Sequence, residues 1–407
     1  MTTSAVPPIR RVDLDWVRIL AFALLILYHS GMYYVDWDWH VKSPHASAAL
    51  QPWMMLTSPW RLGLLFFVSG CAAAFFLRRR EAGTRARAFL RERTQRLLIP
   101  LAFGIWFIVP PQSFFEVVEK ISYPGSYLEF LHAYASGYGG FCRGADCLRI
   151  PTWNHLWFVA YLWVYALLLA LALRVLPRPL SALRAFAERT LHGWRALVLP
   201  ALALGAIRLA LVARFPATHA LVDDFYNHAQ YVFLFGLGVV LAQADAFWET
   251  LRRARWGLLV AAVLAWAALV TYFARFVDVD PPEALRLAMR ALYGIDQWLA
   301  PAAALAFARQ WNPRESAARR YFTEAVFPFY IVHQTAIVLF AEALKPLALR
   351  AGVEAPILVA CTVAACFASF EIVRRVAWLR PLFGLLPREA QGSASPATDL
   401  RGVAGNA

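Results

Sequence analysis

The sequence predicts an all-α polytopic membrane protein of about ten transmembrane helices with both termini cytoplasmic, and three observations predict it. First, 60% of the 407 residues are hydrophobic and only 16% are charged, where a soluble domain is about 45–50% apolar and about 25% charged. Second, the apolar residues form blocks of about 17–25 residues, the length of helix that crosses a ~30 Å hydrocarbon core. Third, Lys and Arg concentrate in alternate connections between those blocks. A disordered chain, a collagen and a small disulfide scaffold are excluded by the same figures.

The blocks justify the spans in order. Span one covers 14–35. Its stretch Ile19–Tyr28 has the length of a signal-peptide core, but no small-residue cleavage site follows, so it reads as a retained helix. Span two (57–77) carries Leu65-Phe66-Phe67-Val68-Ser69-Gly70, and span three (97–115) leaves the basic stretch Arg78–Arg96. Span four (153–173) opens on Asn154-His155-Leu156-Trp157-Phe158, and span five (196–213) holds Arg208. Spans six (229–244) and seven (256–276) follow. Span eight (288–308) is the weakest, because Asp296 and Gln297 interrupt it and Pro301 can kink it. Spans nine (324–343) and ten (356–378) complete the set.

Orientation follows from the cations. One set of alternate connections holds 28 Lys and Arg and the other 11, with Arg208 inside a span. The richer side is cytoplasmic, which an even number of spans permits for both termini. The expected organisation is a cytoplasmic tail (1–13), one transmembrane domain (14–380) and a cytoplasmic C-terminal tail (381–407), whose Gly-, Ser-, Ala- and Pro-rich end from Ala390 reads as disordered. The net charge of +14 is explained by these loops, so nucleic acid is not an expected partner; membrane lipid is. Cys142 and Cys147, five apart in the long outer loop, could pair in an oxidising compartment. Cys71, Cys361 and Cys366 fall in apolar spans and read as packing residues. No metal-ligand spacing occurs.

Ionisable groups inside a bilayer are costly and mark function by default. Span one carries Arg18 and His29, 11 residues and three turns apart on one face, about 16 Å along the axis. A neutral imidazole at that depth can take a proton from a hydroxyl; the plainer reading is a histidine bonded between helices. His333, with Tyr330 one turn before it, offers a second buried imidazole at a similar level. His155 opens span four at the outer boundary, where Trp157 and its neighbours could equally be interface anchors. Arg93 and Arg96 share a face at the mouth of span three. Positive-inside bias produces such residues, yet paired guanidinia also suit a polyphosphate, and Arg18 stands between that mouth and His29. Arg61 could snorkel from the end of span two. Arg208 requires an anionic or carbonyl partner, either Glu371 or Asp296 or a substrate group. Trp39 and His40 sit in an outer loop rich in aromatic residues and carboxylates, which fits an aromatic belt or a sugar-binding surface.

Taken in order, Arg18 with His29, the Leu65–Gly70 run, Arg93-x-x-Arg96, His155-Leu156-Trp157-Phe158 and Tyr330-x-x-His333 resemble the ten-helix membrane acyltransferases of the acyltransferase 3 group. The resemblance runs through nearly all of residues 10–388. It implies His29 as the essential histidine and Arg93 and Arg96 as the essential arginine pair. Glu324 departs from the family pattern, which has an uncharged polar residue there. A subgroup that succinylates periplasmic glucans is the best fit. The implied activity is acyl transfer from cytosolic acyl-CoA (succinyl-CoA, with acetyl-CoA as the alternative) to a periplasmic glycan such as an osmoregulated glucan, in the bacterial inner membrane. His29 is the expected catalytic residue, and Arg93, Arg96 and Arg18 would hold the donor. Arg208, Arg61, His333, Tyr330, His155, Trp157, Trp39 and His40 would contact acyl group or acceptor. No metal is expected, while glycan-synthesis proteins and a homodimer remain open as partners. A transporter or flippase without chemistry is the rival reading; the absence of an internal repeat speaks against it.

Overall fold

The computed structural model describes residues 11–78, 80, 83–144 and 146–386. Fourteen α-helices account for most of them. Helix α1 (Val12–Tyr34) leads into an outer loop with the short α2 (Gln51–Met55). Helix α3 (Arg61–Arg78) is followed by α4 (Arg85–Phe103), which runs through a π-helical turn, Gly104–Ile108, into α5 (Pro110–Ile121). The two halves meet at 42°. Pro110 and Pro111 open α5 without amide donors, so the ladder breaks where the bend lies. Helix α6 (Tyr127–Ser136) and a two-stranded hairpin, β1 (Cys142–Arg143) and β2 (Asp146–Cys147), complete the long outer loop. The remaining helices are α7 (Trp157–Val175), α8 (Pro177–Thr190), α9 (Trp194–Leu211), α10 (Phe225–Leu241), α11 (Asp245–Arg275), α12 (Glu283–Trp311), α13 (Ala317–Leu344) and α14 (Ala351–Arg375).

Each of the ten predicted blocks falls on one of the long helices or on the bent α4–α5 pair. Among the described residues, six helices are long and apolar enough to cross a membrane, or seven counting the bent pair as one span. The protein is an all-α polytopic membrane protein. Span eight, expected to be interrupted, is the continuous α12. Its Gln297 reaches across to Gln230 and Tyr226 on α10, which satisfies part of the polar interruption between helices. Cys142 and Cys147 are disulfide-bonded. Helix α1 begins at Val12, and Pro381–Phe383, in the stretch that the sequence assigns to the C-terminal tail, forms a short helical turn. The Pro381–Phe383 turn lies against α4, and Gly384 adopts φ +71°, the left-handed region, next to Arg96. The region from Ala390 that reads as disordered lies outside the described residues.

The tightest helix crossing joins α3 to α10. A Cβ on Gly70 would stand 2.0 Å from the Phe235 carbonyl oxygen, and one on Gly238 would stand 2.1 Å from that of Phe67. Small residues on both sides are what allow backbones this close in a bilayer. Gly70→Leu is therefore expected to destabilise the fold by at least the ~1–3 kcal/mol of an overpacked core, read as a lower thermal midpoint of the purified protein. A midpoint equal to the parent's would show that the crossing can yield.

Candidate active site

At the end of the bundle where α1 begins, α1, α3, α4, α7 and α13 enclose a cavity of ≈ 400 Å³. Arg11, Arg18, Arg93 and Arg96 face it, as do the carboxylates of Asp15, Glu92 and Glu324. Every one of those carboxylates is already paired: Asp15 with Arg319 (2.6 Å), Glu92 with Arg96 (3.1 Å) and Glu324 with Arg380 (3.1 Å). The departure from the family pattern at Glu324 is thus absorbed by a local ion pair. Arg11 is held by Asp13 and stacks on Trp248, Arg18 donates to the Thr323 carbonyl at 3.4 Å, and Arg96 Nε donates to the Gly384 carbonyl at 3.3 Å. Arg93 makes no ion pair or hydrogen bond among the described residues; its guanidinium lies 5.3 Å from the Phe89 ring. The cavity is consequently an electropositive mouth with guanidinium donors left over, the chemistry that takes phosphate oxygens.

Its inner end is apolar, formed by Phe22, Phe158, Leu162 and Val326. The Tyr330 ring packs 5.4 Å from Phe22 and 6.0 Å from Phe158, and on its other side 5.8 Å from the His333 ring. His29 is not among the residues that line the cavity. It lies seven residues beyond Phe22 on α1, about 10 Å further along the helix.

There α1 and α13 bring two imidazoles together. His29 Nδ1 and His333 Nε2 are 2.7 Å apart with the rings stacked, and His333 Nδ1 is 2.6 Å from the Tyr330 carbonyl oxygen. The polarity follows from that carbonyl, which can only accept. His333 Nδ1 therefore carries the proton, its Nε2 carries the lone pair, and His29 Nδ1–H donates to it. The lone pair of neutral His29 is left on Nε2, which has no hydrogen bond among the described residues.

His155 is different. Its Nε2–H donates to the Ile331 carbonyl at 3.1 Å and its Nδ1 accepts from Gln112 at 3.5 Å. Both nitrogens are committed and the side chain is buried. Gln112 also donates to Thr335 (2.6 Å) and accepts from Gln334 (3.0 Å) and Asn154 (3.1 Å). Gln334 in turn donates to His40 Nε2 at 2.8 Å, and His40 Nδ1–H donates to Glu116 at 2.5 Å. One connected polar network thus runs from the His155 end to the loop. There Lys42 donates to the Met32 and Val35 carbonyls, and burial lowers its pKa to about 8.

The remaining predicted residues divide. Tyr330 lends its carbonyl to His333, and its hydroxyl donates to the His155 carbonyl. Arg61 does not snorkel: it is 7% exposed, with its guanidinium 3.2 Å over the Tyr28 ring. Arg208 pairs with neither Glu371 nor Asp296. It donates to the Tyr226 hydroxyl at 2.5 Å and lies 3.6 Å over Tyr293, while Glu371 is taken by Arg374 and Arg375. Trp157 stacks on His219 at 4.4 Å, away from the His29–His333 pair, and Trp39 packs beside His40 at 5.4 Å. Sequence reasoning gave no role to Gln112, Gln334, Arg11 or the Phe22–Phe158 floor. A usable signal existed only for the two glutamines, polar residues at the edge of or within apolar blocks.

Among the described residues no group of three His, Cys, Asp or Glu could hold a metal ion. No curated protein and no solved structure matches the chain. A family model described as an acyltransferase domain matches residues 11–371, a stretch that contains Arg11, Arg18, Arg93 and Arg96 of the mouth as well as His29 and His333. With a match over most of its length, the chain belongs to the acyltransferase 3 family of membrane acyltransferases.

Proposed function

We propose that the protein transfers an acyl group, succinyl in preference to acetyl, from cytosolic acyl-CoA to hydroxyls of a periplasmic glucan across the bacterial inner membrane. The observation that carries this reading is His29 Nε2, an imidazole nitrogen with no hydrogen bond among the described residues, lying beyond a cavity faced by Arg11, Arg18, Arg93 and Arg96. The CoA phosphates dock on Arg93 and Arg96 with Arg18 deeper in, and the acceptor approaches His29 from the opposite side. His29 Nε2 takes the acceptor's hydroxyl proton as its oxygen attacks the thioester carbon; the C–S bond breaks and the proton passes to the departing thiolate. His333 fixes the tautomer through its own bond to Tyr330. The choice of acceptor and acyl group rests on likeness to glucans biosynthesis protein C at Trp39-His40-Val41-Lys42-Ser43, Arg61, Ile99-Pro100, Pro111-Gln112, Ile207-Arg208 and Phe370-Glu371-Ile372.

Mass spectrometry of periplasmic glucans from cells with and without the chain tests the reading: succinyl esters present only with it support the assignment, and identical glucans overturn it. A succinyl group brings a second carboxylate, which needs a cation once it leaves water. Arg208, with a buried Nε that has no partner, is assigned that carboxylate. Arg208→Gln should lose succinyl transfer selectively when succinyl-CoA and acetyl-CoA compete. Equal loss of both would make Arg208 structural.

A further inference from the structure

Arg61 opens α3 beside His29 and has no counter-ion. It is 7% exposed, its Nε and Nη1 are buried without a hydrogen-bond partner, and no ion pair reaches it among the described residues. Its guanidinium carbon stands 3.2 Å from the centre of the Tyr28 ring, whose centre is 5.8 Å from that of His29. An aromatic face steadies a cation, but it leaves the N–H donors of a buried guanidinium unmet, which is strongly unfavourable unless a ligand meets them.

Acyl transfer creates such a ligand. When a hydroxyl oxygen adds to the thioester carbon, the carbonyl π pair moves onto its oxygen, and that oxygen must be held by donors already in place. His29 lies inside α1, where the backbone amides are used by the helix. His333, His155, Gln112 and Gln334 are committed to each other and to carbonyls. Arg61 retains unused cationic N–H groups next to His29. We propose that Arg61 is a catalytic residue that holds the negative oxygen of the tetrahedral intermediate, while His29 holds the hydroxyl proton. When the intermediate collapses, the oxygen pair re-forms the carbonyl, the C–S bond breaks, and the thiolate takes the proton from His29. This inference rests on the acyl-transfer reading of the His29 site.

The test uses the purified full-length chain with glucan acceptor and either acetyl-CoA or succinyl-CoA. Arg61→Gln should lower kcat about 10²–10³-fold with both donors and leave KM for the donor nearly unchanged. Arg61→Lys should recover part of the rate. Added guanidinium ion should raise the rate of Arg61→Ala but not that of His29→Ala. A fully active Arg61→Gln overturns this inference alone, as does a loss confined to succinyl-CoA, which would make Arg61 a carboxylate site. Arg61→Ala that guanidinium leaves inactive, with Arg61→Lys no better than Arg61→Gln, also overturns it. A parent that transfers neither acyl group overturns the acyl-transfer reading itself.

Discussion

His29→Asn is expected to reduce acyl transfer by about 10²–10⁴-fold, the usual range for a general base, in a protein that inserts and melts like the parent. The asparagine amide nitrogen can take the place of Nδ1 and still donate to His333 Nε2, the 2.7 Å contact that joins α1 to α13. Only the Nε2 lone pair is lost. His29→Ala should be as inactive but somewhat less stable, because it leaves the His333 acceptor unmatched in a buried site. The measurement is turnover with acyl-CoA and glucan, alongside the thermal midpoint of each variant. Parental turnover in a correctly inserted His29→Asn would remove His29 from the chemistry.

The second large effect concerns the mouth. Arg93→Ala should weaken CoA binding by about 10–100-fold, the equivalent of one charge-assisted contact of roughly 1.5–3 kcal/mol. Arg93 is expected to matter more than Arg96, since Arg96 already shares its donors with Glu92 and the Gly384 carbonyl. Lysine should restore affinity only in part at either position, because the fork geometry is lost. Titration calorimetry with CoA at two salt concentrations reads both effects. Unchanged affinity in both alanine variants would reduce the pair to topology signals.

Much of this arrangement is legible in the chain. A block long enough to cross a bilayer must satisfy its backbone within itself, so helix positions follow from apolar length alone. His29 and His333 stand out because an ionisable group in such a block is expensive, and Arg93 because it shares a face with Arg96 at the mouth of span three. What the chain withholds is rotation. Whether Arg208 meets Asp296 or the rings of Tyr226 and Tyr293 depends on how α9, α10 and α12 turn toward each other, and the period of one helix does not fix that. The same holds for His155. Its place at the start of α7 suggests a boundary residue, yet Gln112 and the Ile331 carbonyl draw it inside. The contact of Pro381–Phe383 with α4 is a related case, since nothing in those residues announces it.

The aromatic layer of Phe22, Phe158 and Tyr330 has a consequence for the cell as well as for the reaction. A catalyst that takes reactants from opposite sides of a bilayer runs the risk of becoming a pore. Three ring contacts of 5.4–6.0 Å between Phe22, Phe158, Tyr330 and His333 place an apolar layer between the charged mouth and the paired imidazoles. Hydrophobic constrictions of this kind exclude water by dewetting. In the proposed reaction this layer would keep a thioester from bulk water on the histidine side, and a donor arm would have to part the rings to pass.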